Sequence, residues 1–177
     1  MKASKFILSL FIIMALASMA LAASLGASNV AALLEKSKDL SGLDLSGLDL
    51  SGLDSDFNNV DFSRAKLVGA NLSGLTLEYT NFYGADLTGA NLSDVSLCPS
   101  NLKSAVLKNA VLRKAYISDV DLSGADLSGA DLRGVNFDSV DFTGAILTGA
   151  DFTGAKLNGL KGVDKAVGAD KAIGLAR

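Results

Sequence analysis

The sequence predicts an all-β solenoid, a chain wound into coils whose short extended sides are joined by tight corners. Three observations lead there: a large apolar residue every five positions, a small residue two places before it, and frequent glycine two places after it. Counting in fives from Leu122 (position i), the 21 positions between 57 and 157 all hold Leu, Phe or Ile. The 20 positions at i−2 hold 12 Ala and five Val, with Leu75, Thr80 and Ser100 as the exceptions. Position i+2 is Gly in 11 of the 21 repeats.

Regular secondary structure cannot use this period. On a helix each step of five turns about 140°, which scatters the leucines around the cylinder and weakens every second turn with glycine. On a continuous strand an odd step sends successive side chains to opposite faces. A short extended side resolves the conflict, because i−2 and i then point inward together while i−1 points out between them. The remaining residues, i+1 and i+2, form the corner. Glycine at i+2 supplies the positive φ of a type II turn. Asn59, Asp94, Asn109 and Asp119 tolerate that region, whereas Arg64, Tyr79 and Lys114 predict type I corners. One side cannot bury its own leucine, so the sides must stack into a solenoid.

The motif Ala-(Asp/Asn)-Leu-x-x, as in "GADLTGANLSD" (84–94) and "GADLSGADLRG" (124–134), resembles the pentapeptide-repeat family. The resemblance runs over residues 39–160. It implies a right-handed quadrilateral β-helix with four repeats, or 20 residues, per coil; the number four comes from the resemblance and not from any 20-residue pattern in the sequence.

The ends depart from the repeat. Residues 1–22 read as a signal peptide: Lys2 and Lys5 precede the apolar run "FILSLFIIMALASMALA", and Ala20-Leu21-Ala22 has the small-x-small form of a cleavage site. The alternative is a retained anchor helix, for which the 17-residue run is marginal in length. Residues 23–38 contain a short helix, with Val30, Leu33 and Leu34 on one face and Ser28 available as its cap. Such a helix covers the otherwise open end of the first coil. In "DLSGLDLSGLDLSGLD" (39–54) Leu43, Leu48 and Leu53 replace the small inward residue, and a two-residue insertion near "DSDF" predicts a wider first coil and a bulged corner. After residue 160 the pattern fades into a C-terminal cap or tail over 161–177.

Chemistry is sparse. The sequence has no His, one Cys and two Glu, Glu35 and Glu78. That composition offers no usual general base, no disulfide and no multi-cysteine metal site. We find no catalytic residues and no cofactor-binding or metal-ligating set, and read the chain as non-enzymatic. With 20-residue coils Asp121 stacks on Asp141 and Asp131 on Asp151, which reads as ordinary outward surface. The lone Cys98 faces outward at a corner that Pro99 must distort. A net charge of −3 gives no reason to expect a nucleic-acid partner.

One coil is unusual. No glycine occurs between Gly89 and Gly124, and the outward Asp or Asn gives way to Val106, Val111 and Tyr116. Lys103, Lys108, Arg113 and Lys114 accompany them. These seven residues form the candidate interaction surface for an unknown protein partner, although they lie on successive sides of a square rod. The sequence thus predicts an exported scaffold, in a periplasm, the extracellular space or an equivalent lumen, with no membrane attachment after signal cleavage. The alternative is a DNA-mimic inhibitor of a type II topoisomerase, an activity the resemblance brings from one branch of the family. That branch implies a cytoplasmic, markedly acidic dimer. The export reading has a direct test. N-terminal sequencing of the native protein should give a start at Ala23, within one residue, whereas an intact Met1 on soluble cytoplasmic protein would overturn it.

Overall fold

The computed structural model describes residues 26–175; the signal segment at 1–22 lies outside them. The backbone winds as a four-sided β-helix. Parallel bridges join residues 20 apart, and one side stacks Asp61, Asn81, Asn101, Asp121 and Asp141 in a column. The second side stacks Lys66, Asp86, Val106, Asp126 and Ile146, and the third Asn71, Asn91, Val111, Asp131 and Asp151. The fourth runs through Thr76, Ser96, Tyr116, Asn136 and Lys156. A few of these sides are regular strands: β1 (Ser96–Leu97), β2 (Ser100–Asn101), β3 (Tyr116–Ser118), β4 (Val120–Asp121), β5 (Asn136–Asp138) and β6 (Lys156–Asn158). Their pairing orders are β1-β3-β5-β6 and β2-β4.

The inward columns match the repeat. Leu87, Leu107, Leu127 and Leu147 stack beneath the second side, each with its preceding alanine, and all are fully buried. The phenylalanines gather at the two ends. Phe62 and Phe82 stack with centroids 4.8 Å apart, while Phe137, Phe142 and Phe152 pack together further along. Thr80 and Ser100 enter the core without leaving a polar atom unpaired, because both hydroxyls donate to the Leu77 carbonyl.

The backbone bonds of the repeat of five recur from coil to coil. Taking Leu127 as i, its N–H donates onward to Ile146 O (2.8 Å), and Asp126 N–H donates back to Ala105 O (2.9 Å). At the corner Gly129 N–H donates to Thr148 O (3.0 Å), and Ala130 N–H closes the turn onto Leu127 O (3.0 Å). One amide, at i+1, has no backbone acceptor. The outward carboxylate takes it: Ser128 N–H donates to Asp126 Oδ1 at 3.0 Å. The same bond recurs from Ser63 to Asp61, Ser73 to Asn71, Thr88 to Asp86 and Thr143 to Asp141. The outward Asp and Asn therefore also cap corners. Asn amides add a second link along the column, Asn81 Nδ2 to Asp61 Oδ1 and Asn101 Nδ2 to Asn81 Oδ1, both at 3.0 Å.

Corner geometry corrects another expectation. Arg64, Tyr79 and Lys114 have φ of 58°, 56° and 58°, the same left-handed conformation as the glycine corners. Their amides are held by the next coil, as Arg64 N–H is by Tyr83 O (2.9 Å), so the ladder imposes the conformation at about 1 kcal/mol per residue. The Cys98–Pro99 peptide bond at the expected irregular corner is cis. Cys98 is free and half-buried.

Both ends are modified coils. Helix α1 (Ala27–Leu34) packs Val30 and Leu34 onto the first coil. Gly26 stands at its N-cap with no side-chain cap, so Ser28 lies inside the helix and does not start it. Bridges from the first coil step by 22 residues, Asp39 to Asp61 and Asp44 to Lys66, as the insertion requires. Leu43, Leu48 and Leu53 are only partly buried at this rim. Lys38 Nζ ties the insertion down by donating to the Asp56 carbonyl and pairing with its carboxylate at 3.0 Å.

Beyond Leu157 the coil continues with wider corners. "GVDKAVGADKAIG" (162–174) repeats every six residues, and the extra residue turns each corner into a 3-10 turn, Val163–Lys165 and Ala169–Lys171. The bridges lengthen accordingly, with Ile146 on Val167 and Asp151 on Ile173. Gly162, Gly168 and Gly174 replace the inward large residue, and their backbone lies against Thr143, Thr148 and Thr153. A Cβ at Gly162 would stand 2.5 Å from Thr143 N, whereas one at Gly144 meets nothing within 4 Å. Both have φ near 70°, 69° and 70° respectively. Gly144→Ala should therefore cost about 1 kcal/mol in a urea melt, and Gly162→Ala about 3 kcal/mol, strain plus overpacking. Equal losses would mean that the close approach contributes nothing.

Candidate interaction surface

The seven sequence-predicted residues occupy one coil, and its four-sided course separates them. Val106 sits on the second side between Asp86 and Asp126, Val111 on the third between Asn91 and Asp131, and Tyr116 on the fourth between Ser96 and Asn136. Lys103 and Lys108 stand at the two corners of the second side. Arg113 and Lys114 form the corner between the third and fourth sides. The core beneath is unchanged, with Ala105, Leu107, Ala110, Leu112, Ala115 and Ile117 all buried.

What this coil gives up is the corner cap. Val106 and Val111 have no side-chain acceptor, so the amides of Lys108 and Arg113 have no hydrogen-bond partner among the described residues. In exchange, the long cations reach forward to the next coil. Lys108 Nζ lies 3.2 Å from Asp126 Oδ2, and Arg113 Nε lies 2.5 Å from Asp131 Oδ2. Arg133, one coil further on, closes on the same carboxylate with Nη2 at 2.8 Å and comes within 3.9 Å of Asp151. The carboxyl of Asp131 is held far below the usual range, first by the Arg133 hydrogen bonds, which outweigh its burial, and then by Arg113. At Asp126 burial works in the opposite direction, but the Ser128 hydroxyl and amide and then Lys108 overcome it and lower the pKa.

These pairs divide the predicted surface. Lys108 and Arg113 are partly neutralised by the rod itself, while Lys103 and Lys114 have no ion pair among the described residues. One group does come together. Arg113, Lys114 and Tyr116 share one edge of the rod with Arg133, and Lys114 Cγ would lie 3.8 Å from a Cβ at Gly134. Tyr116 is 42% exposed there. Lys103, Val106 and Lys108 wrap away from this edge. Sequence reasoning missed Arg133 because it searched the glycine-free stretch alone. The signal was its position, 20 residues after Arg113. Two further exposed aromatics, Tyr79 and Tyr83, also escaped it; both occupy corner positions where other repeats carry Ser, Thr, Asn or Gly.

No group of three or more His, Cys, Asp or Glu suited to a metal ion occurs among the described residues. Nor is any of their helices long and apolar enough to cross a membrane.

Comparison with known proteins bears on the repeat. The family model for pentapeptide repeats matches eight copies, over residues 55–94, 90–129 and 121–159. Among solved structures, a pentapeptide-repeat protein of the Arabidopsis thaliana thylakoid lumen is 29% identical, covering 57% of this chain and 70% of that one, with a TM-score of 0.39. HetL, involved in heterocyst differentiation regulation in a Nostoc cyanobacterium, is 28% identical over 76% of this chain and 74% of its own, with a TM-score of 0.35. QnrB1, a plasmid-mediated fluoroquinolone resistance protein, is 26% identical over 70% and 64%, with a TM-score of 0.40. Scores this low leave the functions of those proteins without bearing on this chain. No curated protein matches it in sequence.

Proposed function

The chain belongs to the pentapeptide-repeat family, and from that premise we propose that it is an exported, non-enzymatic scaffold that binds an acidic protein partner along one edge of its rod. The proposed contact residues are Arg113, Lys114 and Tyr116, extended by Arg133, with Lys103, Val106, Lys108 and Val111 continuing the same coil around the rod. One observation carries the reading. At 106 and 111 the chain forgoes the side chain that caps the corner at the stacked positions Asp86, Asp126, Asn91 and Asp131, and does so on two successive sides of one coil, while every inward position beneath keeps its repeat residue. The coil thereby trades corner caps for apolar and cationic side chains on its outer surface. An outward Val and Tyr beside arginine suit a contact surface, where Tyr and Arg are favoured anchors.

The non-enzymatic reading is supported by how the polar side chains are used. The regularly spaced acids bind corner amides or pair with cations, which makes them parts of the scaffold. Export is supported by the N-terminal sequence. The second reading, a DNA mimic directed at a type II topoisomerase, draws on the stacked Asp121 and Asp141. The cations bound at Asp126 and Asp131 favour the first.

The test restores the repeat pattern. Val111→Asn, Arg113→Ser and Tyr116→Asn together touch no inward position, so the melting temperature should stay within a few degrees of wild type. Retention of the partner captured from the exported fraction should fall clearly. Ser123→Ala on the next coil is the control and should leave retention unchanged. If the triple variant binds as wild type does, this coil is not the contact surface.

A further inference from the structure

The first side of the rod carries a surface that the basic edge does not use. Tyr79 stands at the corner leading into this side and Tyr83 at the corner leaving it, 63% and 41% exposed. Asn81 lies between them, half-buried in the outward column. The two tyrosines are four residues apart, about 13 Å along an extended chain. A single small ring cannot touch both.

The polar groups between the rings are held in place. Asn81 Oδ1 accepts the Tyr83 amide (3.2 Å) and Asn101 Nδ2 (3.0 Å), and its own Nδ2 donates to Asp61 Oδ1 (3.0 Å). Each amide nitrogen carries two hydrogens and spends one in this column, which leaves the second to solvent or a ligand. The Asp61 carboxylate is bound by that amide and by the Ser63 N–H (2.8 Å). The face between the rings thus presents amides, with its carboxylate already engaged.

These features select the class of ligand. The backbone of this side is spent between coils, with Asn81 N–H on Val60 O and Phe82 N–H on Asn101 O, so an extended peptide finds no free edge to pair with. A nucleic acid also stacks on aromatic rings, but it needs a cationic groove, and the outward column here runs Asp61, Asn81, Asn101, Asp121. An uncharged glycan meets each feature. The C–H face of a sugar ring packs on the negative face of an aromatic ring, and its hydroxyl oxygens accept from amide N–H groups that fix its orientation. We propose that the first side binds a neutral oligosaccharide, with a sugar ring on each tyrosine and the hydroxyls of the intervening units on Asn81 and Asn101. Rigid rings and tied amides lose little freedom on binding. The basic edge lies between the third and fourth sides, so this inference does not rest on the protein contact assigned there.

Tyrosine emission of the full chain reports the contact directly, because the sequence has no Trp and three Tyr, two of them on this side. Titration with hexasaccharides of glucose, mannose and N-acetylglucosamine should give a saturable change with at least one of them, and the same change in Tyr116→Phe. Calorimetry with that probe then compares variants. Tyr79→Asn and Tyr83→Ser place the residue types of Asn59 and Ser63 one coil further on, and Asn59 already holds the same positive φ (61°), so melting temperatures should stay within a few degrees of wild type. Each should weaken binding at least about tenfold. Tyr83→Phe keeps the ring and should bind within about threefold of wild type. A hexasaccharide of uronic acid is the charged control and should bind more weakly than the neutral probe. No binding of any of the three neutral probes, unchanged binding in Tyr79→Asn and Tyr83→Ser, or binding of the uronate as tight as the neutral probe would overturn the proposal.

Discussion

The structure depends on one constraint: every backbone amide of a five-residue repeat needs an acceptor in a coil whose direction changes at each corner. Four of the five are met by backbone carbonyls, at i−1 and i between coils, at i+2 to the next corner and at i−2 across the turn. The fifth, at i+1, points off the corner and is met by the residue at i−1 where that residue is Asp or Asn on the first three sides. A buried or half-buried amide left unpaired costs free energy comparable to a lost hydrogen bond. This explains why the outward residue is so often Asp or Asn, although it contributes nothing to the core. The charged form is the better acceptor, and the amide and hydroxyl of residue 143 lower the pKa of Asp141 accordingly.

The inside of this fold was legible and the corners were only partly so. Leu, Phe and Ile at i, with Ala or Val at i−2, define two inward positions per side, and no alternative conformation satisfies that spacing. The residues Arg64, Tyr79 and Lys114 misled because local preference was weighed without the ladder. Once the amide of each is bound by the next coil, tertiary hydrogen bonding overrides the intrinsic cost of positive φ. The caps were not legible because an outward Asp looks the same whether it binds water or an amide two residues on. At the C-terminal end the period changes from five to six, and a count in fives sees only decay. The repeated "DKA" was the available signal.

The surface of such a rod is free to vary only where it does not serve the corners. That places functional information in the exceptions. The coil carrying Val106, Val111 and Tyr116 keeps its inward residues, exchanges side-chain caps for ion pairs to Asp126 and Asp131, and exposes a tyrosine beside arginines. Of the seven residues that the sequence singled out, the fold brings three to one edge and distributes the rest around the rod. A linear stretch of unusual composition becomes a belt here, because each five residues turn the chain to a new side.

The central claim is that inward and outward positions obey separate rules, and one adjacent pair in the unusual coil tests it most directly. Leu107 is fully buried in a column of leucines, and Val106 faces outward where other repeats carry Asp or Asn. Thermal and urea unfolding of Leu107→Asn and Val106→Asn would be compared. The first should cost several kcal/mol, as a buried amide without partners replaces a packed leucine. The second should leave stability unchanged or raise it by up to about 1 kcal/mol, because the new side chain can accept the free amide of Lys108. Comparable losses for the two, or a large loss for Val106→Asn alone, would contradict the account.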